Sequence, residues 1–146
     1  MTHRDEGHYA KKHGARTQLD QVIAAAIREV SAEGKVSCPE AFRIAEEMGI
    51  EPSEIGRTLD LLEMKITQCQ LGLFGHERGR HLIVEPAETV SLELEKALRA
   101  DLVNGRLPCA AAWEIAKRFG LPKMGITAAC QKLHIRMGQC QLGTFS

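Results

Sequence analysis

Sliding the chain against itself by 71 residues superposes residues 19–75 on residues 90–146 without a gap. Arg28/Arg99, Gly34/Gly105, Cys38/Cys109, Ile44/Ile115, Ala45/Ala116, Gly49/Gly120, Ile55/Ile126 and Leu62/Leu133 are identical pairs. The run Gln68 to Gly72 matches Gln139 to Gly143, and Phe74 matches Phe145. Self-similarity at a fixed offset means that one supersecondary unit is written twice, and it constrains the fold before any residue is considered singly. A chain of 146 residues has room for two small units of this size. Its hydrophobic content of 44% supports packed cores. An aromatic content of only 4% suits small helical units better than a β-sandwich.

The periodicity within each copy predicts three helices and a strand, so the fold class is mostly α with short β-strands. Leu19, Val22, Ile23, Ala26, Ile27 and Val30 recur at helical spacing and make one apolar face. Gly34 stands where a glycine would end that helix. Pro39 suits the first turn of a second helix with Ala41, Ile44, Ala45 and Met48 inside, and Gly49 stops it. Pro52 opens a third helix carrying Ile55, Leu59 and Leu62. Ala112, Ile115, Ala116, Phe119, Gly120, Pro122, Ile126, Cys130 and Leu133 repeat the scheme.

The period then shortens to two at Met64/Ile66 and Ile135/Met137, and changes phase at Cys69, Leu71 and Leu73, which predicts a bulged strand. His81 to Glu85 reads as the returning strand of a hairpin. The second copy has no such mate, so Gln139 to Phe145 is expected to pair with Thr67 to Phe74 or with its own copy in a dimer. The resulting division is a polar N-terminal tail (1–18), a first unit (19–85), a linker (86–89) and a second unit (90–146).

The stretches AFRIAEEMGIEPSEIGRTLDLLEMKI and AAWEIAKRFGLPKMGITAACQKLHI resemble a helix-turn-helix. Each has an alanine and a bulky residue on the supporting helix, a glycine and an aliphatic in the turn, and Ile then Leu on the following helix. With a helix before and a strand after, each unit resembles a winged helix, across 19–85 and 90–146. The resemblance implies that residues 52–63 and 123–134 lie in a major groove.

Charge divides the two copies. From Val36 to Gly75 three basic residues face seven acidic ones, a net of −4. From Leu107 to Ser146 five basic residues face Glu114 alone, a net of +4. DNA demands a positive face, which only the second unit supplies. There, the resemblance assigns Lys123, Lys132 and Arg136 to phosphates, and Thr127, Ala128 and Gln131 to base edges. The first unit has Glu54, Gly56, Arg57 and Asp60 at matching places, and its acidic face is expected to meet a protein.

These features imply a DNA-binding protein, a transcriptional regulator with double-stranded DNA as partner and the first unit used for protein contact or dimerisation. An adaptor without DNA binding is the alternative, and a thiol or metal sensor the third. For the sensor, Cys38, Cys69, Cys109 and Cys140 are the candidate ligands, kept in both copies without a CxxC spacing. Cys38 and Cys109 sit at predicted helix starts, where a thiol can ionise more readily. Packing is the simpler role, so no cofactor or metal is expected, and His3, His8, His13, His76 and His81 read as polar tail and loop residues. No hydrolytic triad, P-loop or dinucleotide fingerprint is present, so no enzyme is expected. No apolar run approaches ~18 residues and the start is polar, so a cytoplasmic protein with reduced thiols and no membrane partner is expected.

Overall fold

The computed structural model describes residues 7–14, 18–76 and 82–145. Among them are one short 3₁₀ helix, Tyr9–Lys12, six α-helices and four three-residue strands. In chain order the elements are α1 (Gln21–Val30), β1 (Lys35–Ser37), α2 (Cys38–Met48), α3 (Pro52–Leu61) and β2 (Lys65–Thr67). Then follow α4 (Leu92–Ala100), β3 (Arg106–Pro108), α5 (Cys109–Phe119), α6 (Lys123–Lys132) and β4 (Arg136–Gly138). The protein is mostly helical, and each element of one copy recurs 71 residues later in the other, with only small differences at helix ends. No helix of the described residues is long and apolar enough to cross a membrane.

Local chemistry sets the helix ends. The Asp20 carboxylate accepts from the Val22 and Ile23 amides at 2.9 and 3.2 Å and starts α1. This start turns Ile23, Ala24 and Ile27 inward and leaves Val22, expected on the apolar face, 69% exposed. Ser37 caps α2: its hydroxyl accepts from the Glu40 amide at 3.3 Å and donates to the Glu40 carboxylate. Left-handed Gly49 and Gly120 close α2 and α5, and the amides of Ile50 and Leu121 reach back to Ala45 and Ala116. Gly34 has a different task from the one its position suggested. α1 already ends at Val30, and Glu33 and Gly34 (φ 54 and 72) form a two-residue turn closed by paired Ala32–Lys35 hydrogen bonds. Asn104 and Gly105 build the same turn between Val103 and Arg106. Two central residues with positive φ match the twist of the flanking chain, which is the reason for the Gly.

The strands differ from expectation. β1 pairs with β2 in parallel, Val36 opposite Ile66, and β3 pairs with β4 in parallel, Leu107 opposite Met137. Each pair thus ties the residues before a helix pair to those after it, a connection that parallel pairing requires. β2 stops at Thr67, and residues 68–76 run as turns, so the bulged strand through Leu73 is not formed. Residues 82–87 carry no strand either, which removes the returning half of the expected hairpin; His81 lies outside the described residues. Residues 139–145 make no ladder with 67–74.

The compact units cross the boundaries read from the sequence. One comprises the described residues of Met1–Cys69 together with Gln141–Phe145, and the other comprises those of Gln70–Cys140. Each is closed by the phrase that ends the other repeat. The first packs Ile27, Val36, Ile44, Ile55, Leu59 and Ile66 with Leu142 and with Tyr9 from the polar tail. The second packs Leu98, Leu107, Ile115, Ile126 and Cys130 with Leu71. Leu71 and Leu142, each 1% exposed, are equivalent residues, and burying each contributes about 1.5–3 kcal/mol.

The helix that receives each leucine solves the contact in its own way. In the first unit a Cβ on Gly56 would stand 1.8 Å from the Leu142 carbonyl oxygen. In the second unit the equivalent Thr127 is buried and its hydroxyl donates to the Leu71 carbonyl at 2.7 Å. Replacing Gly56 with Ala is expected to displace residues 141–145 and to lower unfolding free energy by about 1–3 kcal/mol, read from urea unfolding. Thr127→Val is expected to cost a similar amount, about 1–3 kcal/mol, by leaving the Leu71 carbonyl buried without its donor.

Candidate nucleic-acid interface

The surface expected to read bases is covered by the protein's own chain. Thr127 is 1% exposed with its hydroxyl on Leu71. The Ala128 carbonyl accepts from the Ala87 amide at 3.0 Å. The Gln131 side-chain amide donates to the Val84 carbonyl at 2.6 Å. The Ile83 amide donates to Gly72 at 3.1 Å, joining the two segments that lie on α6. Residues 82–87, expected to form the end of a wing and a linker, are instead a strap along this helix. A base-edge role for Thr127 or Gln131 requires breaking these bonds, each of which satisfies a buried or half-buried backbone carbonyl. Thr127, Ala128 and Gln131 are therefore packing and strapping residues in this conformation.

The first unit carries the same strap with different chemistry. Residues 7–14 lie on α3, where Glu63 accepts from the Tyr9 and Ala10 amides at 2.8 Å each. His13 Nε2 lies 2.9 Å from the buried Asp60 carboxylate. His13 and Asp60 align with Val84 and Gln131, so equivalent straps are held by a side-chain pair in one unit and by a side chain on a backbone carbonyl in the other. Arg57 pairs with Glu54 at 2.6 Å. Part of the acidic face expected to meet another protein is thus spent within the unit.

The cations are placed differently. Lys123 lies with its ammonium 4.4 Å from the centre of the Trp113 ring, a cation–π contact that holds it on α5. Lys132 and Arg136, at the end of α6 and the start of β4, are exposed. Arg106, a residue the sequence reading passed over, is directly opposite Arg136 in the β3–β4 register and is also exposed. Its stem lies over Gly138, where an added Cβ would be 2.8 Å from the Arg106 Cβ. Lys35 and Lys65 occupy the same register position in the first unit. Like charges directly opposite on neighbouring strands repel, so each pair concentrates positive charge on its strand edge. The signal was available in the sequence: Lys35 aligns with Arg106 and Lys65 with Arg136.

All five cysteines are free thiols, and Cys38, Cys69, Cys109 and Cys130 are buried. Cys38 and Cys109 open α2 and α5. The Cys109 amide donates to Gln139, which puts Cys109 and Cys140 at the same end of the β3–β4 pair. No group of three His, Cys, Asp or Glu side chains is arranged to hold a metal among the described residues. Burial pushes the Cys130 thiol up from 9.0 to about 11. No family model, curated protein or solved structure matches the chain.

Two outcomes follow for Cys130. In the native protein at pH 8 it should be alkylated by iodoacetamide far more slowly than half-buried Cys140, as peptide mapping would show. Because its folded pKa lies above the unfolded value, the folded state holds its proton longer. Its contribution to stability is then intact below pH 9 and falls as pH rises towards about 11. Cys130→Ala should flatten that part of the stability–pH curve.

Proposed function

We propose that the chain is a DNA-binding regulator whose second unit grips the phosphate backbone of a duplex through Arg106, Arg136 and Lys132. The observation that carries this reading is the exposed, in-register pair Arg106 and Arg136, with Lys132 four residues before Arg136. Helix order resembles that of a winged helix, while the parallel strands and the straps are features of this protein. A basic edge satisfies the electrostatic demand of a duplex and positions the protein without reading sequence. Thr127 and Gln131 are occupied, so binding with little discrimination between sequences is expected. The first unit, with a net of −4 over Val36–Gly75, serves protein contact. Free thiols fit a reducing cytoplasm.

A protein-interaction adaptor is the second reading, favoured by the strap over α6. Fluorescence anisotropy with random and selected duplexes at several salt concentrations separates the two. Arg106→Glu with Arg136→Glu should weaken binding to every duplex and lower the log–log salt slope by roughly 0.9 per lost contact. Lys132→Glu should act in the same direction, and Glu63→Gln should leave the slope unchanged. Wild-type protein without salt-dependent binding at low ionic strength would leave the adaptor reading in place.

A further inference from the structure

Both compact units take their closing segment from outside their own repeat. The two segments share the form Gln-Leu-Gly-x-Phe, at Gln70–Phe74 and Gln141–Phe145, and neither holds a charged residue. The leucine of each is 1% exposed, and its carbonyl meets equivalent positions, Gly56 on α3 and Thr127 on α6. Such a site selects its ligand in two ways. It encloses a leucine side chain, and at Gly56 it admits a backbone carbonyl to a distance that any β-carbon would forbid. Two residues ahead of each segment the backbone is also alike: Gln68 and Gln139 both adopt left-handed φ, 52 and 46, and bend the chain just after β2 and β4.

We propose that the Gly56 site of the first unit is a binding site for a second copy of this chain, filled by that copy's residues 141–145 in an exchanged dimer. Exchange leaves every contact of the site intact and changes only which chain supplies the segment. An uncharged segment leaves and enters the site without desolvating an ion. The opposing nets of −4 and +4 also make the first unit of one copy electrostatically complementary to the second unit of another. The proposal gives the protein-contact role of the first unit a specific partner and does not depend on DNA binding. Within one chain a short connection supplies the segment at an effective concentration of about millimolar, so exchange is favoured when chains fold crowded together.

The test is refolding of the wild-type chain from guanidinium chloride at concentrations from micromolar to about millimolar, followed by light scattering on a sizing column. The expected result is a dimer fraction that rises with refolding concentration and persists on dilution. Isotope-labelled and unlabelled chains refolded together should give a mixed dimer in native mass spectrometry. A fluorescein-labelled peptide of residues 136–146, present during refolding, should be captured and should suppress the dimer. The same peptide carrying Leu142→Asp should be captured about 10- to 100-fold less well. The Arg106→Glu, Arg136→Glu variant should dimerise as wild type does, so this outcome is separable from loss of DNA binding. Monomer at every concentration overturns the proposal, whether or not the peptide is captured. A dimer that the peptide does not suppress overturns it as well, because the chains then meet at another surface.

Discussion

The backbone carbonyl of a leucine held against a helix is the contact on which each unit depends. At Leu142 the partner is the bare Cα of Gly56, and at Leu71 it is the Thr127 hydroxyl. A closing segment only a few residues long brings little area, so its leucine must be fully buried to repay the ordering of its backbone. Full burial takes the carbonyl away from water along with the side chain, and that carbonyl must find a donor or lose free energy. Thr127 provides one directly. The two copies therefore diverged at the helix position that touches the shared phrase, while the phrase itself stayed nearly constant.

The same contact decides what α3 and α6 present to solvent. With the closing segment on one side and the strap on another, the helix that would enter a groove has little free surface. On α6 only Lys132 is exposed, and on α3 only Ser53. The strap explains side chains that composition alone had made suggestive. Gln131 has the chemistry to pair with adenine, yet the same amide serves a backbone carbonyl. A polar side chain on a helix can satisfy the protein's own backbone as readily as a ligand, and local sequence does not distinguish the two.

Helices and most of their ends were legible because they rest on local signals: apolar spacing, Pro39 and Pro52 in the first turns, and Gly49 and Gly120 after the last turn. The duplication was legible for the same reason, since it needs only self-comparison. Strand pairing was not. β1 is three residues long, follows the Glu33–Gly34 turn and pairs with a strand about thirty residues on, so neither period nor length announced it. Gly34 was misread because a glycine ending a helix and a glycine in a tight turn look alike when only three residues separate it from the last apolar position, Val30, where α1 ends. The exchange of closing segments was beyond local reading altogether. Leu71 looks the same in the sequence whichever unit it closes. The paired cations were missed for the converse reason: Arg106 and Arg136 become neighbours only through the register of β3 and β4.

Subtracting the charges that the fold itself uses sharpens what the remainder means. In the first unit Asp60 and Glu63 hold the strap, Glu54 and Glu47 pair with Arg57 and Arg43, and Glu40 completes a helix cap. Five of the seven acids between Val36 and Gly75 thus have partners within the unit, so the acidity of this copy is largely structural in origin. The second unit places its cations otherwise. Lys123 rests on Trp113 and Arg118 on Phe119, but Lys117, Lys132 and Arg136 stand exposed among a single acid, Glu114, between Leu107 and Ser146. Surface cations in this arrangement gain nothing from one another, and the Arg106–Arg136 register sets two of them directly side by side. An exposed basic edge of this kind is complementary to an anion. The backbone of a nucleic acid offers anions in a continuous row.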